Sequence, residues 1–179
     1  DRPEAFLDKG EPFFPGFEDP NIATSMEVIE YNADDGQPIP FKVELREGLY
    51  SIPSHHGYPA DGKERLSKTA AGVISLKKED YRTDDVADHV RCGVVDPTDE
   101  TNLETEGRGK RITLTGANSE ILADIIVGNA IEGREGYHFV RVPGQKRVYA
   151  ARADFEVSTK FSDWIEADLL LVDKNDICL

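Results

Sequence analysis

Several features that would place this sequence in a specialised class are scarce or missing. Two cysteines among 179 residues make no disulfide framework, and their spacing matches no zinc signature. The longest candidates for a membrane span, Ile121–Val127 and Leu169–Val172, fall well short of the ~18 apolar residues that such a span needs. A serine nucleophile elbow is absent, and the glycine-rich segment 107–111 lacks the spacing of a phosphate loop. The sequence therefore excludes disulfide-stapled, membrane-bundle and phosphate-loop proteins.

Basic residues are also few relative to acidic ones. Lysine and arginine total 21 against 35 aspartates and glutamates, which gives a formal net charge of −14. Such a chain repels nucleic acid at long range, so no nucleic-acid partner is expected. The apolar content of 39% and charged content of 31% are those of a globular domain. A chain of this length buries roughly 70% of its unfolded surface, so it needs no staples.

The two thiols and the first residue carry limited information. Cys92 follows a predicted helix rather than opening one, so a small semi-buried residue is expected there and not an activated thiolate. Cys178 is interpreted as a second, separate thiol, with a mutual disulfide as the alternative. The chain starts at Asp1 and its first methionine is Met26, which predicts a trimmed or mature fragment that has lost a leader or an anchor.

The first half of the chain predicts strands followed by helices. Residues 1–22 are predicted to form an irregular, proline-rich lead-in. Its aromatic side chains are expected to pack against the rest of the domain and its backbone to cover sheet edges. Strands are predicted at 23–31, 41–45 and 49–52, with turn chemistry at 32–40. Asp61 and Glu64 form a capping box for a helix whose apolar face holds Leu66, Ala70, Val73 and Ile74. A short helix at 84–91 ends before Gly93, and 94–109 is predicted as a long surface loop.

The second half predicts two hairpins and a last helix. The strands are placed at 111–114, 121–127, 137–142 and 147–151. The segment Pro143–Lys146 offers the Pro-Gly pair of a type II turn. Asp163 and Glu166 open a helix in which Trp164 belongs to the apolar stripe and not to a ligand platform.

These elements predict an α+β fold, with a mostly antiparallel sheet built from ββα units and two or three helices packed on it, one or two of them on one face. Residues 23–179 are taken as one domain after the lead-in at 1–22. A shift of 99 positions superposes 41–43 on 140–142 and 49–50 on 148–149. This echo suggests two ββα repeats at about 23–92 and 107–179, or else only the hydrophobic pattern that any two such units share.

Five segments together resemble one known family. They are Ser54-His-His-Gly-Tyr-Pro-Ala-Asp61, Gly93-Val-Val-Asp-Pro97, Gly107-Arg-Gly-Lys-Arg111, Tyr137-His-Phe-Val-Arg-Val-Pro-Gly-Gln145 and Ser158-Thr-Lys-Phe-Ser-Asp-Trp-Ile-Glu-Ala-Asp-Leu-Leu170. Over about 26–171 the chain resembles the domain-of-unknown-function 4340 family of bacterial envelope proteins. The resemblance implies an extracytoplasmic α+β region behind an N-terminal membrane anchor, encoded beside exporters of the gliding-motility ABC type. It implies no catalytic residues and no cofactor.

Two groups of residues are candidates for chemistry. His55 and His56, with Asp61 and His89, offer metal ligands, but adjacent residues of an extended segment point to opposite sides. An exposed loop in front of the helix is the preferred interpretation, with no metal. Between 107 and 152 there are eight basic and four acidic residues. This segment therefore has a formal charge of +4, within a chain whose formal net charge is −14. A basic patch for an anionic partner is predicted at Arg108, Lys110, Arg111, Lys146 and Arg147, the alternative being pairing with nearby acids.

The leading hypothesis is a non-catalytic binding and assembly domain, anchored in the envelope and accessory to an ABC-type exporter whose subunits are its partners. It rests on the resemblance and on the lack of a catalytic constellation. One alternative is a metal-dependent envelope hydrolase that uses His55 and His56. Another is a module that binds glycans or anionic lipids through the basic patch.

Overall fold

A computed structural model describes residues 10–32, 34–46, 49–52, 58–59, 63–99 and 106–153. Its strands are β1 Ser25–Asn32, β2 Gln37–Arg46, β3 Leu49–Ile52, β4 Tyr58–Pro59, β5 Asp80–Thr83, β6 Lys110–Thr115, β7 Ile121–Ala130, β8 Tyr137–Arg141 and β9 Val148–Arg152. The helices of this part are α1 Lys63–Ile74 and α2 His89–Cys92, with 3-10 turns at Pro20–Ile22 and Val86–Asp88. The expectation of a mostly antiparallel sheet with few helices is confirmed.

All nine strands belong to one antiparallel sheet, in the order β4-β3-β2-β1-β6-β7-β8-β9-β5. β1 therefore lies between its hairpin partner β2 and the distant β6, with Ser25 opposite both Glu44 and Thr115. The expected turn at 32–40 is too long, because β2 already begins at Gln37 and pairs Pro38 and Pro40 with β1. Prolines fit there because, among the described strands, β3 reaches only as far as Glu44 and leaves that stretch an edge.

One face of the sheet carries the main hydrophobic core, and we call it the core face. The alternation of β1, β2 and β6 places Met26, Val43 and Leu114 on this face, all fully buried. The helix α1 covers it with Leu66, Ala70 and Val73, as the 3.6-residue spacing predicts, and Ile74 packs against its border. The lead-in packs on the same core through Phe13 and Phe17. Phe13 meets the ring of Tyr149 edge-on at 5.2 Å between centroids.

The described part of the lead-in, residues 10–22, pairs with the segment directly before the edge strand β5 and not with that strand itself. Its residues Gly10 to Phe13 exchange backbone hydrogen bonds with Leu76 to Lys78, between α1 and β5. The reason is that Phe13 and Phe17 are buried over the core face. The removal of these two large apolar side chains from water favours this position of the lead-in. Residues 10–22 also contain a turn in which Phe17 N–H donates to Phe14 O and the 3-10 turn at Pro20–Ile22.

The opposite face is covered too, over β7, β8 and β9, and this corrects two expectations. Residues 93–99, which we call the strap, cross this face instead of forming a surface loop, and α2 lies with them. A second core there contains Cys92, Val94, Ile126 and Val148. The two helices therefore lie on opposite faces and not on one. The physical reason is that β7 and β9 are apolar on both sides, as Ile125–Ile126 and Val148–Ala151 show.

Several expectations fall on residues outside the described ranges. They concern His55, His56, Asp61, the helix opened by Asp163 and Glu166, Trp164 and Cys178. The second ββα unit consequently stays a prediction. Within the described residues, no helix combines the length and the apolar character that a membrane crossing needs.

Candidate functional site

The strap begins where α2 ends. Gly93 takes a left-handed conformation with φ of 73°, and its N–H donates to the carbonyl oxygens of His89 and Val90. A glycine adopts this conformation without steric cost, so the helix stops and the chain turns onto the sheet. Val95 then pairs with the segment leading into β6, since its N–H donates to Gly107 O at 3.0 Å and its carbonyl accepts from Gly109 N–H at 2.8 Å.

Glycines allow the strap and α2 to approach the sheet backbone closely. A Cβ at Gly128 of β7 would lie 2.5 Å from Cys92 O and 2.8 Å from Gly93 O. A Cβ at Gly109 would lie 2.7 Å from Gly93 O, and one at Gly107 2.6 Å from the backbone of Val90. Since real Cβ atoms do not approach this closely, the contact depends on these positions having no side chain.

Two arginines hold the strap by its carbonyl groups. Arg108 Nη1 donates to Asp96 O at 3.0 Å and to Asp99 O at 2.8 Å, and its guanidinium lies 4.4 Å from the ring centroid of Tyr31. Arg141, on β8, donates from Nε to Val94 O at 3.0 Å and from Nη1 to Gln145 O at 2.8 Å. Each charged donor satisfies backbone oxygens that the strap could not pair within a sheet.

A third arginine, Arg111, holds the strap through the side chain of Asp96. Arg111 forms a two-pronged contact with Asp124, with Nε to Oδ1 at 2.9 Å and Nη2 to Oδ2 at 2.7 Å. Its remaining nitrogen, Nη1, reaches Asp96 Oδ2 at 2.9 Å. The hydrogen bond from Arg111 to Asp124 raises the pKa of the guanidinium, against the effect of partial burial. The three-membered network of Arg111, Asp124 and Asp96 thus ties β6, β7 and the strap together.

The strand register explains why these groups meet. Arg111 lies opposite Ile126, Ile126 opposite Arg141, and Arg141 opposite Val148. Residues that face each other across antiparallel strands point to the same side of the sheet. One row across four strands therefore places Arg111 and Arg141 on the strap face, on either side of the buried Ile126.

The five residues of the predicted basic patch lie in or next to β6 and β9, in the same sheet. Lys110 pairs with Glu30 at 3.0 Å, and Arg147 holds Asp84 with two contacts at 2.8 and 2.9 Å. Arg108 and Arg111 serve the strap as described. The side chain of Lys146 is exposed and forms no ion pair with a described residue. Most of the cationic side chains of the patch are thus paired with acidic side chains, while a role of the patch in binding stays a prediction.

His89 and Cys92 have structural surroundings. The ring of His89 is buried and its Nε2 lies 2.8 Å from Lys146 O, which anchors α2 to the β8–β9 turn. Cys92 is fully buried, deeper than expected, and burial raises the pKa of its thiol. In the part of the chain that the structure describes, no three His, Cys, Asp or Glu side chains converge as metal ligands.

Three residues of this site escaped sequence reasoning, namely Arg141, Asp96 and Asp124. Each looked like an ordinary surface charge, because its position next to a buried segment depends on the strap crossing the sheet. The available signal was the unbroken apolar run Val148–Ala151, which is typical of a strand buried on both faces. It implies that some further segment covers the second face.

Comparison with known proteins bears on the same region. A family model described as a domain of unknown function (DUF4340) matches residues 51–178, well over half of the chain. The match contains α1, the strap and strands β5 to β9, and hence most of the residues of the site. Comparisons with curated proteins and with solved structures found no match.

Proposed function

The chain belongs to the DUF4340 family, and we propose that it is a non-catalytic binding and assembly module. In its full-length, anchored form it would work outside the cytoplasmic membrane as an accessory to an ABC-type exporter. The proposal combines the family resemblance of the sequence with the way that the charged residues and glycines of the matching segments are used in the fold. The proposed role belongs to a binding surface of the domain and not to catalytic side chains.

The observation that carries the proposal is the structural use of two segments on which the resemblance rests. Gly93–Pro97 supplies the strap, and Gly107–Arg111 supplies the glycines and two arginines that hold it. Their charged side chains contact backbone carbonyls and carboxylates of the same chain. A rigid, two-sided sheet of this kind suits a module that presents a surface to a partner.

A part of the surface suited to a protein partner lies at one end of the sheet. Ile121 is paired with Thr115 in the sheet, and Ile22 comes two residues before Thr24, whose N–H donates to Thr115 O. Ile121 is 67% exposed and Ile22 43% exposed. Exposed apolar side chains at one end of a sheet favour contact with another protein. We call this pair the isoleucine end.

The proposal is tested with the anchored, full-length protein. It is purified in mild detergent from native membranes, and co-purifying proteins are quantified by mass spectrometry. We expect transporter subunits in a stable ratio, with recovery reduced by Ile121→Asp. Val86→Asp is the matched control, since Val86 is also apolar and 54% exposed but lies in the turn before α2. Recovery of the protein alone, or equal losses with both variants, contradicts the proposal.

The hydrolase alternative has its own test. Because His89 is engaged with Lys146 O, a metal centre would have to be built on His55 and His56, outside the described residues. Elemental analysis of protein purified without a histidine tag decides it. Stoichiometric zinc that is lost with His56→Ala would favour the enzyme over the assembly module.

A further inference from the structure

Arg141 is a buried cation whose charge has no direct counterion in the part of the chain that the structure describes. The residue is only 8% exposed, and it donates its two hydrogen bonds to the neutral carbonyl oxygens of Val94 and Gln145. No ion pair joins Arg141 to a carboxylate of the described residues, in contrast to Arg111 and Arg147. A buried charge ordinarily has an ionic partner, because removing it from water is costly.

The free hydrogen-bonding capacity of Arg141 lies at Nη2. Neither contact of the guanidinium uses this nitrogen, and it is not sealed from solvent. Burial lowers the pKa of Arg141, and only the more distant charges of Asp96 and Asp99 oppose that effect. Asp96 is already bonded to Arg111 and Thr98, and Asp99 has an interaction of its own. Nη2 therefore remains a charged donor without an acceptor.

The β8–β9 turn next to Arg141 favours an anion. The carbonyl oxygen of Gln145 accepts a hydrogen bond from Arg141, and that of Lys146 accepts one from His89. The partial negative charges of both oxygens are therefore already directed at donors of the same chain. The space around Gly144 is open, since a Cβ built there meets no atom within 4 Å. Lys146 adds an exposed cation one residue beyond the carbonyl that Arg141 holds.

We propose that Arg141 and Lys146 form a binding site for a single phosphate group at the β8–β9 turn, with Nη2 of Arg141 as the buried donor. A guanidinium matches the oxygens of phosphate in geometry and charge, and a nearby ammonium adds a point charge. The phosphate comes either from the solution or from a lipid headgroup. The site differs from the predicted patch, since it uses Arg141 in place of the arginines that already hold carboxylates or strap carbonyls, and it does not depend on the assembly role.

The test is a titration of the whole 179-residue chain with inorganic phosphate, followed by ¹⁵N–¹H NMR and compared with chloride at matched ionic strength. We expect saturable shifts at the amides of Gly144, Gln145 and Lys146, with a Kd on the order of 1 mM. Lys146→Ala should weaken binding about threefold, as expected for loss of one solvent-screened charge next to the phosphate. Lys77→Ala removes an exposed lysine elsewhere and should change nothing.

Arg141→Gln should abolish the saturable shifts in a protein that remains folded, and the two lysine variants decide the matter if it unfolds. Vesicles of phosphatidylglycerol then distinguish the sources. Vesicle binding that phosphate displaces identifies a headgroup, and saturable phosphate binding without vesicle binding identifies free phosphate. Shifts that rise linearly with phosphate, or equal effects of Lys146→Ala and Lys77→Ala, overturn the proposal.

Discussion

The substitution Asp124→Asn tests whether the network that ties the strap to the sheet stabilises the fold. Asp124 accepts both prongs of Arg111 and a further hydrogen bond from Thr113 at 3.1 Å. The side chains of Arg111 and Asp124 are 24% and 20% exposed, so solvent screens their attraction only in part. Exposed pairs contribute less than about 1 kcal/mol, and breaking a buried pair costs about 3–5 kcal/mol.

We therefore expect Asp124→Asn to lower the free energy of unfolding by about 2 kcal/mol, between these limits. Asp96 stays in contact with Arg111, which keeps the loss below that of a fully orphaned charge. Urea unfolding followed by circular dichroism measures the change. With an m-value of about 2 kcal/mol/M, the midpoint should fall by about 1 M.

Asp84→Asn is the matched control for this prediction. It removes a two-pronged contact of the same chemistry from Arg147, but 51% of the Asp84 side chain is exposed. We expect a midpoint shift of at most about 0.3 M for this variant. Equal shifts for the two variants would refute the argument that burial sets the worth of these pairs. The double variant with Arg111→Met then isolates the coupling between Arg111 and Asp124.

Three further predictions concern the packing, titration and reactivity of named groups. Gly128→Ala should destabilise the fold by about 3 kcal/mol, because its Cβ meets two backbone oxygens, whereas Gly16→Ala, with open space around it, should be near neutral in the same urea assay. The hydrogen bond from Thr83 lowers the pKa of Asp88, so Asp88 stabilises the fold above the ordinary carboxyl range and that contribution fades as pH falls through its lowered pKa. An NMR titration should find this pKa raised by Thr83→Val, and an unchanged value would contradict the assignment. In a Cys178→Ser background, Cys92 should resist thiol reagents until urea unfolds the chain, since its thiol is buried and its pKa raised; rapid labelling of the native protein would show otherwise.

The strands and the packing of α1 follow from local pattern, while the strap does not. Alternation in β1 and β6 and the spacing of Leu66, Ala70 and Val73 depend only on neighbouring residues, which a sequence displays. The strap depends on glycines at 107, 109 and 128 that belong to other segments, and on the register that brings Arg111 and Arg141 into one row. Such coincidences between distant segments have no periodicity, so the polar segment 94–99 resembled a loop.

The distribution of charged residues in the sequence also predicted only part of the site. The excess of basic residues between 107 and 152 was readable, and so was their placement on strands of one sheet. Which acid each one meets depends on contacts far apart in the chain, such as Arg147 with Asp84 and Lys110 with Glu30. Composition therefore predicted a cationic segment, and only the three-dimensional pairing separates Arg141 and Lys146 from the rest.

The position of β1 between β2 and β6 has a consequence for folding during synthesis. Ser25 and Thr115, whose hydroxyl groups are hydrogen-bonded, are 90 residues apart in the chain. At ~5–20 residues per second, a ribosome needs roughly 5 to 20 s to make the intervening segment. The β1–β2 hairpin must wait that long with one long edge unpaired, and the late closure of such a distant contact slows folding. A nascent chain halted before β6 should therefore be far more prone to aggregation than one released after it.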